Sequence, residues 1–207
     1  MRQIHYKSYV KACDIAFKTL IKHNVRELPV SAANICKREG IRVVSYANMS
    51  KIISKQLILD LSHQTDGFTV GGIIFYNQKC SIGRQRFTVA HELGHILLGH
   101  CDPERYNKIR FESERAYESD EHEANVFASR LLAPSCVLWG LNARCVEDIA
   151  ELCNISYESA HMRWKRVLLH YEREERGRKK NDAYFLRSEL ERELYYLFTD
   201  YILLNRK

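Results

Sequence analysis

His91 and His95 stand four residues apart in the stretch HELGHILLGH, and Glu92 directly follows the first of them. On a helix, residues four apart lie one turn apart on the same face. Both imidazoles can therefore aim at one ion. Glu92, offset by one residue, sits beside that ion rather than on it, placed to take the proton of a water that the ion acidifies. Zinc suits two imidazoles and one carboxylate, with a position left open for that water. The flanking FTVA and ILL are apolar on several sides, which makes this a buried helix. Burying two histidines and a glutamate there without a partner is costly, so a metal is the economical explanation.

A third ligand has to come from elsewhere. An extended version of the motif, the metzincin one, needs a glycine at position 98 and a histidine at 101. Those positions hold Leu98 and Cys101, and His100 falls one residue short. Cys101 is a weaker choice than a carboxylate. The segment DEHEANVFASRLLAP, 120–134, offers Glu121 and Glu123. Helical spacing groups Glu121 with Ala124, Asn125, Ala128 and Leu132, and small alanines on that face let it approach the metal helix closely. Glu123 shares the bulkier face of Val126, Phe127 and Arg130. Glu121 is the preferred third ligand and Glu123 the alternative. Asn125, one turn on, is placed to hydrogen-bond a ligand histidine from behind. Asp120 and the unused glutamate are expected only to complement the helix dipole in an acidic first turn.

Periodicity outlines the elements that must hold these groups. Residues 6–23 carry apolar positions at helical spacing, and Pro29 and Ser31 open a second helix, roughly 31–39, which Gly40 closes. IRVVSY, 41–46, and LILDL, 57–61, have strand composition. DGFTVGGIIFYN, 66–77, predicts a hairpin with strands near 67–70 and 73–77, turning at Gly71-Gly72. The second strand is expected to lie at the sheet edge and hold a substrate extended. The metal helix spans about 85–98. Another runs over 119–132 with Ser119 as its cap, and Pro134 ends it. Helices near 146–152, 156–175 and 184–205 follow, with 176–183 as a linker. Strands followed by helices give an α+β class with a small antiparallel sheet. The expected division is a metal domain, 1–138, and a helical extension, 139–207.

Bulk composition narrows the function classes. The chain has 207 residues, 45% of them hydrophobic, and a net charge of +6, which tolerates an acidic partner without demanding nucleic acid. No apolar run is long enough for a membrane span. The charged N-terminus lacks a secretory pattern, so a cytoplasmic location is expected. Seven cysteines, an odd number with no C-x-x-C pair, argue against both a disulfide framework and a thiolate zinc site.

RQRFTVAHELGHILLGH followed by EHEANVFASRLLAP resembles the ImmA/IrrE family of zinc metallopeptidases. That family's H-E-x-x-H helix is preceded by a stretch like RFTVA, and a later E-x-x-A-N-x-F-A-x-x-L-L-x-P helix supplies the third ligand. The pattern falls here on Arg86, Phe87, Thr88, Ala90, His91, Glu92, His95, Glu121, Ala124, Asn125, Phe127, Ala128, Leu131, Leu132 and Pro134. LPVSAANICKREGIRVV is similar to the family's N-terminal helix and strand, so the resemblance covers roughly residues 25–135. It implies a zincin-like fold, Glu121 as ligand, and a cytoplasmic endopeptidase that inactivates helix-turn-helix repressors. For the oxyanion, Tyr76, His100, Tyr106 and Tyr117 qualify by residue type alone.

In the extension, VEDIAELCNISYESAHMRWKRVLLHY, 146–171, has a helix-turn-helix rhythm, and Arg163, Lys165 and Arg166 are candidates to meet phosphates. Packing on the peptidase, or positioning a substrate, is the favoured use of 146–180 over DNA contact. The last helix aligns Leu190, Leu194, Leu197, Phe198 and Tyr201, a stripe suited to core packing before self-association. A catalytically quiet zincin scaffold that binds or senses a repressor is the competing functional reading. The intact Glu92 disfavours it, because a binder has no use for a general base.

Overall fold

A computed structural model describes residues 2–49, 65–101, 114–177 and 184–206. The strand expected at 57–61, most of the 176–183 linker and Tyr106 lie outside these residues. The described chain is mostly helical with one small sheet, an α+β fold. It divides into two compact units, one of residues 1–15 and 31–128, the other of 16–30 and 129–207.

The first unit contains the sheet. Helix α1 (Arg2–Lys22) begins there. Helix α2 (Ala32–Arg38) starts where the Ser31 side chain accepts a hydrogen bond from the Asn34 N–H. Strand β1 (Arg42–Ser45) and the short helix α3 (Tyr46–Met49) follow. Strands β2 (Gly67–Val70) and β3 (Ile73–Tyr76) form the expected hairpin. Gly71 and Gly72, both at positive φ, make the two-residue turn that matches the twist of paired strands.

Two expectations about this sheet fail. The sheet is mixed, not antiparallel: the order is β1-β3-β2, and β1 runs parallel to β3 with Arg42 opposite Ile73. The second hairpin strand is therefore central, so it cannot serve as the edge that pairs with a substrate. Alternation in a short apolar strand shows which side chains share a face, but not which strands flank it. Tyr46, Met49 and Phe75 form a buried cluster on the sheet, with Phe68 stacked on Phe75 at 5.1 Å.

Helix α4 (Ile82–Leu98) begins three residues earlier than its apolar pattern suggests, because the Ser81 side chain caps it by accepting from the Arg84 N–H. Gly99, left-handed with φ 82, ends it. Helix α5 (Glu114–Leu132) is longer than expected: Ser119 is not its cap but lies inside it.

The second unit is helical. Pro134 caps a short helix that the sequence did not disclose, α6 (Ser135–Gly140). Helix α7 (Val146–Cys153) starts in a capping box between Cys145 and Asp148 and ends at Asn154 in the left-handed region. Helix α8 (Tyr157–Gly177) packs against it. Instead of one terminal helix there is a 3-10 turn (Tyr184–Leu186), then α9 (Glu189–Leu197) and α10 (Thr199–Asn205). Of the expected stripe Leu194 and Phe198 are buried, joined by Ile202, while Leu190, Leu197 and Tyr201 are half-buried. Phe185 stacks on Trp139 at 5.7 Å, and Trp139 donates to Glu174.

Candidate metal centre

Two close crossings build the centre. Gly67 lets β2 lie against α4: a Cβ there would stand 2.3 Å from the Thr88 methyl and 2.8 Å from the Phe75 carbonyl oxygen. Gly94, inside the H-E-x-x-H stretch, lets α5 approach from another side. A Cβ at 94 would meet the Phe127 ring at 2.9 Å and the Ala124 Cα at 3.3 Å. Ala124 and Ala128 are fully buried, so the small-residue face of α5 does turn toward α4. The Arg84 and Asp66 ion pair adds a tie between the start of α4 and the segment leading into β2.

The structure brings His91, His95 and Glu121 together. The two Nε2 atoms are 3.0 Å apart. Glu121 reaches His91 Nε2 through Oε2 and His95 Nε2 through Oε1, each at 3.3 Å. Hydrogen bonds from His91 and then His95 hold the Glu121 carboxyl well below the usual carboxylate range. Separations of this size match the edge of a tetrahedron built on bonds of ~2.0–2.1 Å. Two imidazole nitrogens and a carboxylate oxygen, converging at that spacing, form a donor set that fits a divalent metal. Asn125 stands behind, its Oδ1 3.1 Å from His91 Nδ1. Glu92 is buried, and its Oε2 accepts a hydrogen bond from the Thr69 hydroxyl at 2.7 Å.

Glu123 goes elsewhere. It and Asp120 are buried beside His100, 3.3 Å and 3.5 Å from its Nε2. Burial pushes the Glu123 carboxyl up, but hydrogen bonds from His100 and Ser8 and the Lys11 charge bring it below its ordinary value. Neither acid complements a helix terminus, since both lie well inside α5. His100 is occupied in this way and is no longer a candidate for the oxyanion. Tyr76 is half-buried on β3, and the Tyr117 side chain is outside what is described. Cys101 is exposed and belongs to neither group of side chains that converge as metal ligands among the described residues.

Sequence reasoning missed Thr69 and the pairing of His100. A threonine in a strand carries no signal of its own, and His100 stood out only as a metal ligand one residue short and, by residue type, as an oxyanion candidate. Arg163 needs correcting too. It is 2% exposed and donates through Nε to the Ala133 carbonyl at 2.7 Å, so it supports the second unit and does not meet phosphate. Lys165 and Arg166 remain exposed.

No helix among the described residues is long and apolar enough to cross a membrane. Over 95 residues the chain is 35% identical to the Radiation response metalloprotease IrrE of Deinococcus radiodurans, a match covering 42% of this chain and 29% of that protein's length. Residues 36–165 match the family model described as the IrrE N-terminal-like domain. That span takes in both crossings, the His91, His95 and Glu121 group, and Glu92, and the chain belongs to this family of metallopeptidases, Peptidase_M78.

Proposed function

We propose that this chain is a zinc-dependent endopeptidase with a zincin-like active site, acting in the cytoplasm on a helix-turn-helix transcriptional repressor. The observation that carries the reading is the placement of Glu92. It is a buried carboxylate one residue from a metal-ligand histidine, and the Thr69 hydroxyl donates to it. His91, His95 and Glu121 would hold the zinc, which would supply Lewis acidity toward the scissile carbonyl and toward a water near neutral pH. Glu92 takes the proton of the attacking water and hands it to the leaving amine. Thr69 fixes the carboxylate through Oε2 and leaves Oε1 to carry that proton. The triad residues are part-buried, with the Glu121 side chain 34% exposed, so a peptide can reach the centre. The repressor is supported by the family resemblance. Lys165 and Arg166, exposed on α8, offer positive charge on which a protein substrate can dock.

The test incubates the zinc-loaded protein with the repressor encoded nearest to its gene, alongside unfolded casein. Discrete repressor fragments with casein spared are expected. Glu92→Gln should keep its zinc and lose activity by about 10²–10⁴-fold, because the amide keeps the shape but cannot accept the proton. Digestion of casein alone, or undiminished turnover by the variant, refutes the reading.

A further inference from the structure

His100 lies against the centre but outside its triad. The left-handed turn at Gly99 folds the chain back, so that the His100 N–H donates to the His95 carbonyl at 2.9 Å. The ring then meets His95 edge to face, with the two Nδ1 atoms 3.1 Å apart. On its far side, His100 Nε2 faces Glu123 Oε2 and Asp120 Oδ1. All three residues are at least nine-tenths buried. The Lys11 ammonium stands 3.8 Å from Glu123 Oε2 and donates to the Leu98 carbonyl at 3.2 Å.

Two roles compete for this cluster. His100, Asp120 and Glu123 converge closely enough to hold a second metal ion. Alternatively, they support the first site. The protons on the rings decide. A neutral imidazole carries one N–H. When His95 binds metal through Nε2, its proton sits on Nδ1 and points at His100 Nδ1. That nitrogen must accept, so the His100 proton sits on Nε2 and points at the two carboxylates. A metal held by His100 Nε2 would instead put protons on both Nδ1 atoms, donor facing donor at 3.1 Å. Neutral rings therefore cannot serve both sites at once, and the Lys11 ammonium beside Glu123 works against a second cation.

We propose that His100 is a positioning residue: anchored through its Nε2–H by Glu123 and Asp120, it accepts the Nδ1–H of His95 and so keeps His95 Nε2 as the metal donor. Asn125 does the same for His91 by a different route, since an amide oxygen can only accept. Each ligand histidine thus has an acceptor behind it that sets its tautomer and ring plane. The His95 chain ends on carboxylates carried by α5, the helix that also supplies Glu121. Three residues of one helix, Asp120, Glu121 and Glu123, then serve the centre from opposite sides of His95.

This inference rests on the metal reading above, and the experiment separates the two. The full chain, with its histidines labelled with nitrogen-15, is loaded with zinc, and the ring-nitrogen shifts are read. His100 is expected protonated on Nε2 alone, and His95 protonated on Nδ1. Chelator competition then measures zinc affinity. His100→Leu should weaken it about 10–100-fold, and His100→Asn, which keeps an acceptor near the place of Nδ1, should restore most of the loss. A His100 proton on Nδ1, a second zinc per chain that His100→Asn removes, or His100→Leu within about threefold of wild type overturns the proposal. If the leucine variant does not fold, the wild-type shifts decide alone. Zinc uptake that survives Glu121→Ala would sink the metal reading and this inference together. Zinc held by the triad with the reverse His100 tautomer would sink this inference only.

Discussion

Thr69 shows how much one hydroxyl contributes to a centre built from charged groups. Its Oγ1–H donates to Glu92 at 2.7 Å, and hydrogen bonds to charged groups contribute about 1.5–3 kcal/mol. Thr69→Val has nearly the same shape but no donor. It should lower kcat by roughly tenfold while zinc content stays at the wild-type level, since about 1.4 kcal/mol is a factor of ten. Parallel steady-state kinetics and elemental analysis check this; equal loss of zinc would show that Thr69 holds the fold of the site rather than its base. The same scale explains why Glu121 and Glu123, two residues apart, behave so differently. Their side chains leave the helix about 200° apart, so one meets the Nε2 atoms of His91 and His95 and the other meets His100. The pattern E-H-E marked both as candidates. Only the surroundings of each face separate them.

At the scale of elements, the centre depends on how closely helices and strand can cross. Gly94→Ala gains about 1 kcal/mol of helix propensity. It also drives a methyl into the fully buried Phe127 ring and the Ala124 backbone, and such overpacking costs about 1–3 kcal/mol. The variant should be destabilised on balance and should bind zinc more weakly, because α5 and Glu121 are pushed away from α4. Thermal unfolding with and without zinc measures both effects. Strand β2 carries a second expectation. Val70 and Ile73 close the hairpin turn as a hydrogen-bonded pair, and bonded pairs then alternate along the ladder. The Thr69 N–H therefore points away from β3, and no described strand lies on that side. A substrate held extended can pair there. In Glu92→Gln protein with a bound, uncleaved peptide, hydrogen exchange should slow at the Thr69 amide and stay unchanged at Phe68. The reverse result would remove β2 from substrate binding.

The whole molecule joins a unit carrying the candidate metal centre to a helical one with its own electrostatic demands. His170 on α8 stands between Tyr184 and Phe185, and its Nδ1 has no hydrogen-bond partner among the described residues. Burial, followed by the charges of Arg163, Arg130, Arg173 and Arg166, brings its pKa down from 6.5 to about 4. Between those values the unfolded chain binds the proton and the folded chain does not, so stability rises with pH across this window and is lost as pH falls through it. His170→Phe should flatten that slope. Urea midpoints measured at about pH 7 and about pH 5 should differ less in the variant than in the wild type. An unchanged difference would assign the acid sensitivity to other groups.

Local sequence determined what depends on spacing along the chain. His91, Glu92 and His95 were legible because four residues make about one helical turn whatever surrounds them. The hairpin was legible because Gly71 and Gly72 accept a backbone that few other residues adopt. The opening of a helix at Ser31 and the stop at Gly99 were legible for similar local reasons. The tertiary structure decided what depends on residues distant in the chain. It put β3 between β1 and β2, made Gly67 and Gly94 points of contact, buried Arg163 against Ala133, and turned Asp120 and Glu123 toward His100. None of these follows from periodicity, because a helix face or a strand pattern records which residues lie together and not what they lie against.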